Sequence, residues 1–327
     1  MTKLENKIFA ISNQRTFDEV CLEVFQYQYH KVPIYKQFCD YLKVAPEQVN
    51  QKEEIPFLPI QFFKSNKIYS ASTSAEVVFS SSGTTGQTTS KHYVNELNLY
   101  KKSFRTTFKQ FYGNIKDYAV LALLPAYLER EGSSLIFMAQ DLIAESNHAK
   151  SGFYLNNLEE LVQTLKLLES QKQKTLLLGV SFALLDLAEQ FPMKLEHTII
   201  METGGMKGRR KEMIREELHQ VIGRAFNLSN IHSEYGMTEL LSQAYSKGEG
   251  IFKPAAWMDI LIRDPEEPTR ILKNGKTGGI NVIDLANVHS CSFIATQDLG
   301  SKLNTNEFRV IGRFDASDIR GCNLLLL

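Results

Sequence analysis

Between Tyr118 and Ile222, short apolar runs alternate with amphipathic segments, and no other feature constrains the fold so strongly. Residues 118–124 read as a buried strand ending at Pro125. Residues 175–180 and 198–202 read as further strands, the last running into Gly204-Gly205. Residues 133–143, 158–169, 182–190 and the charged 207–222 read as helices. This order predicts α/β architecture, with helices layered on mainly parallel sheet. After Glu239 the pattern changes to short strand-like runs at 258–262, 279–284, 292–296 and 308–311, which predict a β-rich subdomain.

The first part of the chain reads differently. Phe17, Val20, Cys21, Val24 and Phe25 fall on one helical face, and Pro33 can open a second helix through Tyr41. Residues 55–64, with Pro56 and Pro59 among three phenylalanines, read as an extended connection. The expected organisation is a helical segment over 1–70, an α/β core over 71–240 and a β-rich subdomain with a tail over 241–327, forming one continuous domain.

Composition excludes several classes of function. The 327 residues are 43% hydrophobic and 23% charged, the balance of an ordinary globular protein. Lys plus Arg and Asp plus Glu both number 37, so no basic field exists to recruit nucleic acid or anionic lipid. The four cysteines, Cys21, Cys39, Cys291 and Cys322, form no CxxC pair and no zinc pattern with the seven histidines. A reduced, cytoplasmic setting is expected. Residues 1–6 lack an apolar signal core. The most apolar stretch, 176–187, contains Asp186 and falls short of the ~20 residues that span a bilayer, so no stable membrane insertion is expected.

Three separated segments carry chemistry. In the first, Val77, Val78 and Phe79 lead into Ser80, Ser81, Ser82, Gly83, Thr84, Thr85, Gly86 and Gln87. Such a loop directs backbone N–H and hydroxyl donors to one point, and its glycines allow close approach by a polyphosphate. No Gly-Lys-Ser/Thr follows at the offset of a P-loop. The second is Tyr235-Gly236-Met237-Thr238-Glu239: a ring that can stack on a purine, a glycine that lets the backbone pass, a hydroxyl for a phosphate and a hard oxygen ligand for Mg²⁺. The third is Gly312-Arg313-Phe314-Asp315. Asp298, after Gln297, offers a carboxylate that can accept hydrogen bonds from vicinal hydroxyls. The Lys207, Arg209, Arg210 and Lys211 cluster reads as a solvated helix face.

Taken in this order, the three segments resemble the adenylate-forming superfamily of acyl and aryl ligases, from about residue 75 to the end. The resemblance implies ATP and Mg²⁺ as the nucleotide and its metal. Ser81 to Gly86 would hold the phosphates. Gly204, Gly205 and Met206 would wall the adenine, with Tyr235, Gly236 and Met237 on its other side. Thr238 would contact the α-phosphate, Glu239 would bind magnesium, and Asp298 with Arg313 would hold the ribose. His232 either touches the acyl carboxylate or caps the loop. Residues 124–134 either line the acyl side or serve as a structural connection. Lys91 lies farther from the glycines than the usual phosphate lysine of related ligases.

A typical member continues past Gly-Arg-x-Asp into a small mobile domain carrying a lysine. Here the expected fold lacks that lid, because only residues 316–327 follow Asp315. In this respect, and in Leu124-Pro125-Ala126-Tyr127-Leu128-Glu129-Arg130, the chain looks like the LuxE-type acyl-protein synthetases of bacterial fatty acid reductase complexes. Those proteins activate a fatty acid with ATP and accept the acyl group on their own cysteine. The implied acceptor is Cys322, where Arg320 can lower the thiol pKa and Gly321 can free the tail. The other three cysteines sit in apolar periodic contexts and read as packed thiols. An acyl reductase is the implied partner. Two alternatives stand beside this reading: a ligase delivering to coenzyme A or a carrier protein, and a nucleotide-binding scaffold without turnover.

Overall fold

The computed structural model describes residues 2–70, 74–81, 88–125, 132–155, 157–204 and 213–314. In chain order the named elements are α1 (Lys3–Phe9), α2 (Gln14–Lys31), α3 (Pro33–Tyr41), β1 (Leu58–Pro59), α4 (Phe62–Ser65), β2 (Val77–Ser80), β3 (Lys91–Val94) and α5 (Leu97–Tyr112). There follow β4 (Ala119–Leu123), α6 (Ser134–Ser146), β5 (Gly152–Phe153), α7 (Leu158–Ser170), β6 (Thr175–Val180), α8 (Ser181–Gln190), β7 (Thr198–Thr203) and α9 (Arg215–Phe226). The remainder is strand: β8 (His232–Tyr235), β9 (Ala244–Ser246), β10 (Ile251–Pro254), β11 (Met258–Arg263), β12 (Thr277–Asp284), β13 (Phe293–Asn304) and β14 (Glu307–Arg313).

The chain divides into two compact units. One comprises Met1–Ser103, Thr238–Ser242 and Lys253–Leu327; the other comprises Phe104–Met237 and Gln243–Phe252. The boundaries fall inside α5 and β10 as well as in loops.

The second unit is the predicted α/β layer. Strands β4, β6, β7 and β8 run parallel, with β5 parallel on the outer side of β4 and β9 antiparallel to β8. All five residues of β4 and all six of β6 are buried, as expected of strands covered on both faces. Local chemistry sets the helix starts. Ser133 Oγ caps α6 through the Ile136 amide, and Asn157 caps α7 through the Glu160 amide. Helices α6 and α9 stop at Asn147 and Asn227, which take the left-handed conformation that ends helices. Of the helix expected over 207–222, residues 207–212 lie outside the described residues; Met213 and Ile214 are non-helical, and α9 starts at Arg215.

The first unit holds the N-terminal helices and the β-rich region. Thr2 and Glu5 form a reciprocal capping box on α1, and Pro33 occupies the first turn of α3. Strands β11, β12, β13 and β14 form an antiparallel meander, and β1 adds in parallel to β13. Phe25, Tyr35 and Phe293 pack with ring centroids 5.9–6.2 Å apart, fixing α2 and α3 on β13. Trp257 is fully buried, and its indole N–H reaches the hydroxyls of Ser103 and Ser242 at 3.1 and 2.9 Å. No helix among the described residues is long and apolar enough to cross a membrane.

Candidate functional site

The hydroxyl-rich loop is carried by a two-stranded hairpin. β2 pairs antiparallel with β3, with Ser80 opposite Lys91. The pairing continues one step toward the tip, where the Ser81 amide donates to the Ser90 carbonyl at 3.1 Å and the Ser90 amide to Ser81 Oγ at 2.9 Å. Ser82, Gly83, Thr84, Thr85 and Gly86 lie outside the described residues, as do Gly205, Met206 and Cys322.

In the same unit, Thr238–Ser242 has no regular structure, so its backbone needs partners from elsewhere. They come from three side chains. Asp284 closes β12 and accepts from the Leu241 and Ser242 amides at 2.7 and 3.0 Å, and from Ser242 Oγ at 2.5 Å. Burial pushes the Asp284 pKa up to about 6 despite these bonds. His92 Nδ1 lies 2.8 Å from the Thr238 carbonyl, and Asn287 Nδ2 donates to the Glu239 carbonyl at 2.8 Å. The segment is thereby held at both ends of its backbone.

Glu239 itself is 5% exposed. Burial raises its pKa, opposed by a hydrogen bond from Ser90 and by the charges of Arg313 and Lys64. An ionised carboxylate at this position offers the hard oxygen that divalent ions take as a ligand. On β13, Asp298 is also buried and stands opposite Arg313 of β14; Arg313 Nε donates to Asp298 Oδ1 at 3.1 Å. The structure thus brings Asp298 and Arg313 together, and the Arg313 charge acts on Glu239.

The second unit presents Gly204, Tyr235, Gly236 and Met237 at or just past the carboxyl ends of its parallel strands β7 and β8, where open α/β sheets collect ligands. Gly204 follows β7 with φ +71, a conformation favouring glycine. Tyr235 ends β8; its ring is buried and edge-on to Phe252 at 6.0 Å. Gly236 follows, and a methyl group there would collide with the Glu234 carboxylate. Met237 is half-buried. His232, at the opposite end of the short strand, has its Nδ1 3.2 Å from the Tyr112 hydroxyl. Burial pushes the His232 pKa down to about 4, with Lys247 and His219 adding to the effect.

Sequence reasoning missed two carboxylates here. Glu202 accepts from Ser181 Oγ (2.9 Å), Ser233 Oγ (3.1 Å) and Arg215 Nε (3.2 Å). Burial opposes its charge, yet His219, Arg215 and Ser181 outweigh that and hold its pKa below the usual value. Glu234 accepts from Thr203 Oγ1 at 2.5 Å; desolvation, helped by the nearby Glu202 charge, pushes its pKa up to about 7. The available signal was a Glu near the end of each strand, within two residues of Gly204 and Gly236.

Residues 4–111 match the family model described as acyl-protein synthetase, LuxE. No curated protein sequence matches the chain. Among solved structures, ATP-bound MatB from Rhodopseudomonas palustris aligns over 72% of this chain and 47% of its own, with 18% identity and a TM-score of 0.54. The chain therefore spans about half the length of that protein. 2-Hydroxyisobutyryl-CoA ligase, in complex with 2-HIB-AMP and CoA, aligns over 94% of this chain and 70% of its own, with 14% identity and a TM-score of 0.64. An open conformation of the same ligase covers 95% of this chain at a TM-score of 0.63. The resemblance read from the motifs stands: the N-terminal part matches LuxE, and the fold is that of adenylate-forming enzymes.

Proposed function

We propose that the protein joins a carboxylic acid to AMP at the expense of ATP and then passes the acyl group to a thiol. The observation that carries this reading is the LuxE match over residues 4–111 in a chain with the adenylate-forming fold. The acid is a long-chain fatty acid, by likeness to LuxE, and the setting is cytoplasmic.

Each residue has a stated part. The Ser81, Ser82, Gly83, Thr84, Thr85 and Gly86 loop holds the phosphates through amide and hydroxyl donors. Gly204, Gly205, Met206 and Tyr235 bind the adenine, with Gly236 and Met237 completing its surface. Asp298 accepts from the ribose hydroxyls, and Arg313 orients that carboxylate. Thr238 contacts the α-phosphate. Glu239 would hold Mg²⁺, which when bound neutralises charge on the phosphates. His232 faces the acid as a neutral ring.

The acid's carboxylate oxygen attacks the α-phosphorus, the bond to the bridging oxygen breaks, and pyrophosphate leaves. The residues contribute positioning and donors aimed at developing charge. The Cys322 thiolate then attacks the acyl carbonyl, forming a thioester and releasing AMP. An acyl reductase partner takes the acyl group onward.

Intact-protein mass measurement after incubation with ATP, Mg²⁺ and mixed fatty acids tests the sequence of steps. One acyl adduct, lost in Cys322→Ser, is expected. The complex of 2-hydroxyisobutyryl-CoA ligase with CoA favours a second reading, direct transfer to coenzyme A. Coenzyme A consumption unchanged in Cys322→Ser, with no adduct, would select it.

A further inference from the structure

We infer that His92 and Asn287 act as a pair of positioning residues, setting Thr238 and Glu239 against the strand that returns from the hydroxyl-rich loop. His92 sits on β3, two residues beyond Ser90, and is fully buried. Its ring spans two partners: Nδ1 lies 2.8 Å from the Thr238 carbonyl and Nε2 2.9 Å from Asn287 Oδ1. Both partner atoms are oxygens that accept, so the neutral ring, with its single N–H, donates to one of them at a time: from Nδ1 to the Thr238 carbonyl or from Nε2 to Asn287 Oδ1.

Asn287 is fixed as firmly. Its Nδ2 donates to the carbonyls of Glu239 and Cys291, at 2.8 and 2.9 Å. Two acceptors on the amide nitrogen leave one orientation of the side chain, with Oδ1 toward His92. Successive carbonyls, those of Thr238 and Glu239, are therefore held by two side chains that also touch each other. Ser90, just before β3, acts on the Glu239 carboxyl to lower its pKa. The hairpin carrying the loop and the segment carrying the hydroxyl and carboxylate are thus locked in one register. Phe63 packs edge-on to the His92 ring at 5.8 Å and prevents it from swinging away.

The effect on turnover rests on the adenylation reading above; the effect on the segment does not. A merely structural pair would change stability alone. A positioning pair changes the catalytic step, because misplacing a reacting group by a fraction of an ångström slows chemistry without altering capture of a distant substrate.

The experiment uses the full chain with His92→Phe, His92→Asn and Asn287→Ala. His92→Asn keeps a donor near the place of Nδ1. Acid-dependent exchange of pyrophosphate into ATP is measured alongside amide hydrogen exchange. In His92→Phe and Asn287→Ala, kcat is expected to fall at least tenfold while KM for the acid changes less than twofold. His92→Asn is expected to recover most of the loss. Amides of residues 238–242 are expected to exchange at least tenfold faster in His92→Phe, with protection of β6 unchanged. Should His92→Phe fail to fold, Asn287→Ala and His92→Asn carry the same comparison. Turnover within twofold of wild type in Asn287→Ala, or unaltered exchange at 238–242, overturns the inference. If wild type shows no pyrophosphate exchange, the adenylation reading fails, and amide exchange still decides whether the pair sets the segment.

Discussion

Asp298 and Arg313 stand directly opposite each other on β13 and β14, with Arg313 Nε 3.1 Å from Asp298 Oδ1. The two are unequal: the arginine side chain is 78% exposed and the aspartate 8%. A pair open to water on one side contributes about 0–1 kcal/mol to folding. On the adenylation reading, its part is to hold the buried carboxylate in place for the ribose. Asp298→Ala is therefore expected to leave the urea midpoint nearly unchanged. ATP affinity, measured by calorimetry, is expected to drop at least tenfold, since hydrogen bonds to a charged group contribute about 1.5–3 kcal/mol.

Gly236 lies against the Glu234 carboxylate, which the Thr203 hydroxyl anchors. Gly236→Ala should cost about 1–3 kcal/mol, the usual penalty for overpacking a fixed neighbour. Shortening that neighbour should restore much of it. A double-mutant cycle with Glu234→Ala, read from urea unfolding, is expected to give a coupling above 0.5 kcal/mol. Strict additivity would mean that the two groups do not press on each other.

The same carboxyl shapes the pH dependence. Glu234 has a folded pKa near 7, above the ordinary 4.5, so the folded state binds more protons than the unfolded one between those values. Its contribution is full below about pH 4.5 and is lost as pH rises through 7. His92 and His232 act oppositely. Burial pushes both to about 4 from 6.5, so they cost stability as pH falls from 6.5 toward 4. Urea titrations from pH 4 to 8 should show Glu234→Gln gaining on wild type as pH rises through 5–7. An unchanged difference across that window would contradict the shift.

Much of the fold was legible because β4 and β6 of the second unit are largely apolar. The run 175–180 was read to the residue, since all six residues are buried. Polar strands were harder. β13 continues past Thr296 through Gln297, Asp298, Ser301 and Lys302, and the buried Lys302 is tolerated because its ammonium lies 2.6 Å from Asp259. Nothing local in the sequence announces that pair, which joins residues on different strands. β3, which begins with Lys91 and His92, and the short β8 and β9 were hidden for the same reason. Asp298 and Arg313 were named from their motifs, and β13 and β14 pair them. His92, Asn287 and Asp284 of the first unit, and Glu202 and Glu234 of the second, were not named, because each is bonded to partners far along the chain.

Three cysteines, Cys21, Cys39 and Cys291, are buried free thiols. Burial raises all three pKa values, Cys39 to about 12, and a buried thiol offers little thiolate. Alkylation of the native protein at pH 8, read by peptide mass mapping, should spare all three. Labelling is expected at each once the protein is unfolded in urea. Rapid native labelling of any of them would contradict the packing described.

The central claim is that this chain forms an acyl-adenylate, and fatty-acid-dependent exchange of labelled pyrophosphate into ATP tests it most directly. The account predicts exchange that requires Mg²⁺ and an added acid, needs neither coenzyme A nor Cys322, and falls at least a hundredfold in Glu239→Gln. Absence of exchange across short, medium and long-chain acids, in protein that binds ATP, would contradict it.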